Sequence, residues 1–249
     1  MDNLPLFSII TVTFNAQDSI VPTLESVKSQ RFGDFEHLII DGASSDATIS
    51  LAREIGSSSI RILSEKDKGL YDAMNKGLKL ARGKYVIFLN AGDSFASNDT
   101  LSRYADAASS DPDIIYGDTL IVDDKRQIKG PRHLSVPDVL TFDSFSNGML
   151  ICHQAFCVKR ELAPEYDLSY RFSADYDWTV RCIKSTMPDK CVNLHAVTIH
   201  YLDEGMTEKN KKASLKERFD IMRKHYGLVK TLAKHIGFIP RALSRKFGH

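Results

Sequence analysis

The strongest constraint on the fold is an alternation of short apolar runs with segments of helical periodicity over the first 90 residues. The first run, residues 6–14, is rich in β-branched residues and has no 3.6-residue period, which is typical of a strand buried on both faces. Further apolar runs occur at residues 37–41, 60–63 and 85–89, and helical segments at 18–28, 46–55 and 70–81 separate them. This alternation predicts an α/β fold with a doubly wound, mainly parallel sheet flanked by helices.

The composition is that of an ordinary globular chain of 249 residues, with 43% hydrophobic and 26% charged residues. No window approaches the roughly 20 apolar residues that a membrane-spanning helix needs, and residues 1–5 lack the basic region and apolar core of a signal peptide. The four cysteines form no CxxC pair and are expected to be buried thiols in a reducing compartment. We therefore expect a cytoplasmic protein.

Charge is distributed unevenly along the chain. Residues 208–249 contain 12 Lys and Arg against 3 Asp and Glu, whereas residues 1–207 contain 21 against 29. We interpret residues 1–207 as the main domain and residues 208–249 as a basic C-terminal extension. The charge alone does not choose a partner, because a basic tail suits RNA, anionic lipid or an acidic protein, whereas the acidic main domain repels nucleic acid. The acidic main domain, together with the motifs described below, leads us to expect no nucleic-acid partner.

The extension combines its basic residues with apolar residues at helical spacing. A first predicted helix, over residues 213–226, has its apolar positions at Leu215, Phe219, Met222 and Tyr226. A second, which ends at Gly237 before Pro240, has them at Leu228, Val229, Leu232 and Ile236. The first helix fits packing on the main domain as well as a surface role. Residues 227–249 are the better membrane candidate, since each basic group near an anionic surface contributes about 1 kcal/mol.

Polar residues follow each apolar run, where the carboxyl ends of parallel strands meet and ligands bind. No GxGxxG follows the first strand and no GxxxxGK[ST] occurs, which argues against a dehydrogenase or a P-loop enzyme. A bound diphosphate then needs another countercharge, and a divalent cation held by carboxylates is the usual substitute. Asp93, after a strand and the small residues Ala91 and Gly92, is the leading metal ligand; alternatively, it caps a helix beginning near Ser97.

Asp41 begins the polar segment after the second strand. It fits a turn in the dipeptide Asp-Gly. It also fits a ligand contact, because Asp46 supplies a cap for the next helix and leaves Asp41 free to accept a hydrogen bond from a base or ribose. The spacing does not choose between these two roles.

Three motifs carry a family resemblance. SIITVTFN at residues 8–15, IIDGASSDAT at 39–48 and GKYVIFLNAGD at 83–93 resemble, in order and spacing, the inverting glycosyltransferases of family 2. The stretch KGLYDAMNKG at residues 68–77 is most similar to bacterial exopolysaccharide and O-antigen members, including the colanic acid type. The resemblance covers roughly residues 5–207.

The resemblance implies a GT-A fold, a nucleotide-sugar donor, a divalent metal, Mn²⁺ or Mg²⁺, and an acidic general base. By motif, Thr11 and Asn15 line the nucleoside pocket, Asp41 meets the base, Asp67 meets the nucleotide and Asp93 binds the metal. The full set of expected donor-binding residues is Thr11, Phe14, Asn15, Asp41, Asp67, Asn75, Asn90, His153 and Gln154. This chain departs from the family's DxDD cluster at Asn90 and Gly92, so that its metal ligation looks sparse, and it has Gly42 where an Asp is common.

The second half of the chain carries the acceptor-side chemistry. The segment YRFSADYDW at residues 170–178 resembles the family's segment ending in Glu-Asp, with Ala174 in the Glu position and Asp175 as the matching acid. We predict that Asp175 is the catalytic base, because an inverting transfer needs a carboxylate to take the proton of the attacking hydroxyl. Asp177 is the alternative, and either residue fits a cap of the helix that runs through Val180 and Ile183.

Two histidines sit near the ends of strand-like segments. His153 and Gln154 precede the run at residues 155–158 and, by the resemblance, contact donor or acceptor; the alternative is a structural role. His200 ends the run at residues 196–199 and is a weaker candidate for a metal ligand than for ordinary packing. The residues after it, 201–207, are a candidate lid.

Together these features predict an inverting hexosyl- or N-acetylhexosaminyltransferase that extends a lipid-linked glycan in bacterial surface polysaccharide synthesis. Such an enzyme is expected to lie peripherally at the inner face of the cell membrane, held by its C-terminal tail. One alternative is a nucleotidyltransferase acting on sugar phosphates, whose usual Gly-rich first loop is missing after Phe14. A non-catalytic nucleotide-sugar-binding protein is another, and Asp175 in its matching motif weighs against it.

Overall fold

The computed structural model describes residues 4–57, 59–203 and 211–247, with the side chains of 4–57, 59–203 and 212–238. Its strands are β1 (Phe7–Thr13), β2 (Phe35–Asp41), β3 (Ile60–Ser64), β4 (Tyr85–Phe88), β5 (Ser94–Phe95), β6 (Ile114–Val122), β7 (Ile128–Pro131), β8 (Phe156–Lys159) and β9 (Cys191–Leu202). Its helices are α1 (Ile20–Lys28), α2 (Thr48–Ile55), α3 (Leu70–Leu80), α4 (Thr100–Ala108), α5 (Ala174–Lys184), α6 (Lys211–Tyr226) and α7 (Leu228–Phe247). The predicted boundary at residue 207 and the second half of the candidate lid lie outside the described residues.

Within these ranges nine strands form one sheet in the order β3-β2-β1-β4-β8-β6-β9-β5, and β7 pairs with β6. Strand β1 is parallel to β2 and β4, β2 is parallel to β3, and β6 is parallel to β9. The pairings of β4 with β8, β5 with β9, and β6 with β7 and β8 are antiparallel and shorter. The predicted mixed, mainly parallel sheet flanked by helices is confirmed.

Strand β1 lies at the centre of the parallel half, and all seven of its residues are buried. Its Phe7 is opposite Phe35 of β2 on one side and Tyr85 of β4 on the other. The strand order reverses at β1, because the chain first builds outward through β2 and β3 and then returns to the other side with β4. Such a reversal opens a crevice beyond the carboxyl ends of the strands, which is where ligands bind in sheets of this kind.

Helix α3 approaches β1 closely because residue 77 is glycine. A Cβ atom at Gly77 would lie 2.5 Å from Ile10 Cγ2 and 3.4 Å from Ile40 Cγ1, so a larger residue would push the helix away from the sheet. The same helix carries Tyr71 and Asn75, both buried. The close contact therefore fixes how far these two side chains reach toward the second half of the chain.

The C-terminal extension folds back as two helices, with α6 on α5 and α7 on α6. The packed face of α6 matches the predicted apolar stripe in part: Met222 is buried and Tyr226 packs against the core, whereas Leu215 is 63% exposed and Ser214 and Ile221 are buried instead. The rotation of the helix is set by polar contacts, since Ser214 hydrogen-bonds Ser173 and His225 hydrogen-bonds Asp177 on the facing helix region. Apolar spacing alone does not report such contacts.

Helix α7 is longer than predicted and continues through Gly237 and Pro240 to Phe247. A glycine inside a helix costs only about 1 kcal/mol relative to alanine, so Gly237 does not end it. The predicted apolar face is exposed, from 46% to 84%, at Leu228, Val229, Leu232 and Ile236. No helix in the described ranges is long and apolar enough to cross a membrane.

Candidate active site

The crevice at the strand reversal is bordered by two loops that Asn15 ties together. Asn15, just after β1, has a left-handed backbone with φ of 46°. Its backbone N–H donates to Ser44 Oγ at 2.8 Å, and its Oδ1 accepts from the backbone N–H of Ser45 at 3.0 Å. Asn15 is exposed at the rim of the crevice, where it holds the loop after β2 against the loop after β1.

A cradle for a planar group lies beside this rim, formed by Phe14, Gly42 and Asp67. A Cβ atom at Gly42 would lie 2.8 Å from Asp67 Oδ2 and 3.2 Å from Phe14 Cδ2, so glycine lets both side chains pack closely on this loop and a larger residue would displace them. The Phe14 ring is 64% exposed, and Asp67 Oδ1 already accepts from the backbone N–H of Gly69 at 2.9 Å. An exposed aromatic face beside a carboxylate suits a nucleobase, which stacks and donates N–H groups.

Asp41 does not have the free carboxylate that was expected of it. It is 1% exposed, and its oxygens accept from the backbone N–H and hydroxyl of Ser44 and from Ser64 Oγ at 2.6 Å. Asp46 does bond the start of α2, accepting from the backbone N–H of Thr48 at 3.0 Å. The structure therefore supports the turn-forming role of Asp41, which shapes the loop beside the cradle.

Thr11 and Asn75 are also turned away from the crevice. Thr11 is fully buried, and its hydroxyl donates to the carbonyl of Leu89 at 2.7 Å. Both polar atoms of the Asn75 amide bond the backbone of Tyr166: Nδ2 donates to its carbonyl at 3.1 Å, and Oδ1 accepts from its N–H at 2.7 Å. The expectation that Thr11 and Asn75 contact the donor is not supported, because long-range backbone groups occupy their hydrogen-bonding atoms.

Asp93 follows β4 as expected, yet its carboxylate is enclosed. It is 4% exposed; Oδ2 accepts from Gln154 Nε2 at 2.7 Å, and Oδ1 accepts from the backbone N–H of Leu202 at 3.0 Å. Burial raises the pKa of Asp93 to about 7, although these two hydrogen bonds and the charge of Arg126 oppose the rise. Arg126, on the turn after β6, is held beside Asp93 by the carbonyl of Gly92 at 2.6 Å and by Ser94 Oγ.

The described residues do not fit a metal held by the protein alone. Both Asp93 oxygens already accept N–H groups, and no cluster of three or more His, Cys, Asp or Glu side chains suited to a cation occurs in the described part of the chain. His200, the weaker candidate, faces Ser94 across the β5–β9 pair. A divalent ion at Asp93 therefore stays a prediction from the family resemblance.

Three further residues were predicted to contact the donor, and two of them, Gln154 and Asn90, bond Asp93. His153 and Gln154 are 4% and 5% exposed. His153 shares a 2.5 Å hydrogen bond with the hydroxyl of Tyr166, and burial lowers its pKa to about 4. Asn90 accepts from the backbone N–H of Asp93 through its own carbonyl, while its buried side-chain oxygen has no partner among the described residues. His153 and Gln154 therefore bond neighbouring side chains of the site. Asn90 keeps an unused acceptor.

The predicted base, Asp175, lies in the first turn of α5 and is partly exposed. The hydroxyl of Tyr71 donates to Asp175 Oδ1 at 3.1 Å. Tyr71 also stacks on Tyr166 with ring centroids 5.6 Å apart. Sequence reasoning noted the motif that contains Tyr71 but did not assign it a role; it also missed Arg126, for which no motif gave a signal.

Asp177, the alternative base, is fully buried and fully used. Its carboxylate accepts from Arg181 Nε at 2.6 Å, from His225 Nε2 at 2.8 Å and from Lys224 Nζ at 3.3 Å. Burial alone would raise the pKa of Asp177, but these hydrogen bonds and charges lower it to about 2. Asp177 thus serves an ion-pair cluster between α5 and α6, and the geometry favours Asp175 as the residue that meets an acceptor.

Comparison with known proteins agrees with the motifs. The sequence profile described as Glycosyl transferase family 2 matches residues 8–166. The chain is 37% identical over 190 residues to a PGL/p-HBAD biosynthesis glycosyltransferase of Mycobacterium bovis (strain BCG / Pasteur 1173P2), with 73% of this chain and 71% of that one covered. It is 25% identical over 219 residues to WfgD of Escherichia coli, a UDP-Glc:alpha-D-GlcNAc-diphosphoundecaprenol beta-1,3-glucosyltransferase, with 87% and 85% covered.

Solved structures share the fold. The crystal structure of S. aureus TarS 1-349 superposes with a TM-score of 0.71 at 17% identity, covering 94% of this chain and 72% of that one. The same TarS fragment in complex with UDP-GlcNAc gives a TM-score of 0.66 at 19% identity, covering 87% and 64%. The mannosyltransferase PcManGT from Pyrobaculum calidifontis, in complex with GDP-Man and Mn²⁺, gives 0.62 at 15% identity, covering 99% and 80%.

The profile covers more than half of the chain, and the mycobacterial relative covers 73% of it. These matches exclude the two alternatives considered from the sequence, a nucleotidyltransferase and a non-catalytic binding protein. The chain belongs to glycosyl transferase family 2 and is a glycosyltransferase with a GT-A fold.

Proposed function

We propose that this enzyme is an inverting glycosyltransferase that moves a sugar from a UDP-sugar to a hydroxyl group of a lipid-linked glycan. One segment, residues 67–71, carries the proposal because it joins the two halves of the site. Its first residue, Asp67, borders the cradle with Phe14 and Gly42. Its last, Tyr71, donates to Asp175. Two residues four positions apart on one segment, Asp67 and Tyr71, therefore connect the nucleotide cradle to the base.

The proposed chemistry needs one base. A hydroxyl of the acceptor attacks the anomeric carbon of the donor, the new C–O bond forms as the bond to the diphosphate breaks, and the nucleoside diphosphate leaves from the opposite face. Asp175 takes the hydroxyl proton in this step. Tyr71 occupies Asp175 Oδ1, which leaves Oδ2 for the acceptor.

UDP is the proposed nucleotide. The cradle pairs an aromatic ring with the carboxylate of Asp67, and the N3–H of uracil is a single donor suited to one such acceptor. WfgD uses UDP-Glc and TarS binds UDP-GlcNAc, which supports this choice, although PcManGT binds GDP-Man. The sugar is a hexose or an N-acetylhexosamine in this proposal.

The acceptor and location are proposed from the tail. The exposed face of α7 carries apolar residues, among them Val229 and Ile236 at 84% and 69% exposure. The C-terminal extension that contains this helix is rich in Lys and Arg. Such a face inserts into a headgroup layer and is attracted to anionic lipid. WfgD acts on a diphosphoundecaprenol-linked sugar. We place the enzyme at the inner face of a bacterial cell membrane, in surface polysaccharide synthesis.

The base assignment predicts that Asp175→Asn lowers turnover by about 10²- to 10⁴-fold, the range for removing a general base. UDP affinity and melting temperature are expected to stay near the parent values, since Asp175 is partly exposed. Tyr71→Phe is the matched variant: it keeps the carboxylate and loses one hydrogen bond, which corresponds to about tenfold or less. Steady-state transfer assays check both, and parental turnover of Asp175→Asn would place the base elsewhere.

The cradle predicts that Gly42→Ala weakens UDP binding about tenfold or more, because the added methyl group would push Asp67 and Phe14 out of their places. Gly33→Ala is the control, since nothing lies within 4 Å of a Cβ atom there. Calorimetric titration with UDP and GDP measures the effect and tests which nucleobase the cradle prefers. Unchanged UDP affinity in Gly42→Ala would show that the uracil binds elsewhere.

The metal prediction is tested by the same calorimetry with and without Mn²⁺. Because the described residues offer one enclosed carboxylate, Mn²⁺ alone is expected to bind no tighter than about 1 mM, the weak end of the range for protein cation sites. If Asp93 is a ligand in the presence of the diphosphate, Mn²⁺ raises UDP affinity in the parent and fails to do so in Asp93→Asn. Equal gains in parent and variant would remove Asp93 from the role.

The tail predicts salt-resistant binding to anionic vesicles. The double variant Val229→Glu/Ile236→Glu changes two exposed side chains and keeps the contacts of Lys230 with Asp143 and of Lys234 with Asn147. It is expected to abolish the part of vesicle binding that survives high salt. Val139→Glu, at a position 64% exposed outside the tail, is the control. Vesicle flotation at low and high salt decides, and equal flotation of all three proteins would refute membrane binding by this face.

A further inference from the structure

Side chains of helix α6 hold the chain immediately before α5. Glu217 Oε1 accepts from the backbone N–H of Arg171 at 2.9 Å, and Oε2 accepts from the backbone N–H of Phe172 at 2.8 Å. Ser173, the next residue, has its hydroxyl 2.9 Å from Ser214 Oγ, also on α6. Three consecutive residues that lead into α5 are thus held by side chains of α6.

The same helix contacts α5 again on the other side of Asp175. His225 and Lys224 donate to the buried carboxylate of Asp177 at 2.8 and 3.3 Å. Asp175 therefore lies between two anchored positions, residue 173 and residue 177. The direction of its side chain depends on how α6 holds this first turn.

The first turn of α5 lacks a cap of its own. Ser173 occupies the N-cap position, yet its side chain makes no capping hydrogen bond, because its hydroxyl bonds Ser214 instead. A carboxylate near a helix N-terminus is stabilising, since it faces the positive end of the helix dipole. The first turn already carries Asp175 and Asp177, and Glu217 adds a carboxylate from another helix that holds the two amides just before the N-cap. The segment that leads into α5 is therefore held by side chains of the C-terminal extension rather than by a side-chain cap of its own.

We propose that α6 belongs to the catalytic unit and that Glu217 is a positioning residue for Asp175. The inference rests on the proposed role of Asp175 as the base. It makes residues 211–226 part of the active enzyme, in contrast to the division of the sequence into a main domain and a separate extension after residue 207. A displacement of a reacting group by about 1 Å costs on the order of 100-fold in rate, so loss of this support is expected to reach turnover.

The test uses the full chain with Glu217→Ala, Glu217→Gln and the control Asp220→Asn. Asp220 is on the same helix and pairs only with the exposed Arg223 at 3.3 Å among the ion pairs described. Glu217→Ala is expected to lower kcat by about 10- to 100-fold with UDP affinity within about twofold of the parent. Glu217→Gln, which keeps one acceptor oxygen, is expected to fall between, and Asp220→Asn to match the parent.

Hydrogen exchange gives a readout at the site of action. The amides of residues 171–175 are expected to exchange faster in Glu217→Ala, while those of β1 stay protected. A fall in melting temperature with unchanged kcat would overturn the proposal, because it would show a structural role only. Should Glu217→Ala fail to fold, Ser214→Ala removes one hydroxyl contact from the same support and is expected to lower kcat by a smaller factor, about threefold to tenfold.

A double-mutant cycle separates this inference from the proposed function. If Glu217 acts through Asp175, then Glu217→Ala has no further effect on turnover in an Asp175→Asn background. Additive losses would mean that Glu217 acts elsewhere and would overturn the inference while leaving Asp175 as the base. Parental turnover of Asp175→Asn alone would refute the base assignment instead, whatever Glu217 does.

Discussion

The structure depends on the complete burial of β1 between two parallel neighbours. A strand with no exposed face needs helices on both sides of the sheet, and the reversal of strand order at β1 opens a crevice at its carboxyl end. Asn15, Gly42 and Asp67 reach that crevice because each follows a strand or lies in a loop that follows one. The position of the nucleotide cradle is therefore a consequence of how the core is paired.

Beneath the crevice, a series of contacts connects Asp93 with Asp175, the two carboxylates to which roles are proposed. Gln154 donates to Asp93, and its neighbour His153 bonds Tyr166. Tyr166 stacks on Tyr71, which in turn donates to Asp175. Sequence motifs place His153 and Gln154 among donor ligands, whereas the structure uses them to hold the residues around them. The hydrogen bonds in this series are sensitive to substitution, because a buried polar group that loses its partner is left unsatisfied.

The C-terminal extension has two faces with different roles. Toward the body, α6 holds the start of α5 through Glu217 and the buried Asp177 through His225. Toward the outside, α7 exposes apolar residues such as Val229. A membrane-bound acceptor would then be met by a helix pair that also supports the proposed base. Basic residues of the extension contact acidic residues of the body, since Lys224 pairs with Asp177 and Lys230 with Asp143.

The sequence by itself determined the parallel half of the sheet and the family, because apolar runs, helical spacing and the three ordered motifs are local features. It also pointed to Asp93, which follows a strand, and to Asp175, which lies in the first turn of a helix. Only the tertiary structure decided which polar atoms remain available. The side-chain amide of Asn75 bonds the backbone of Tyr166, 91 residues away. Glu217 accepts from the backbone N–H of Arg171, 46 residues before it. Local spacing carries no record of such partners, because they are brought together by the packing of the whole core.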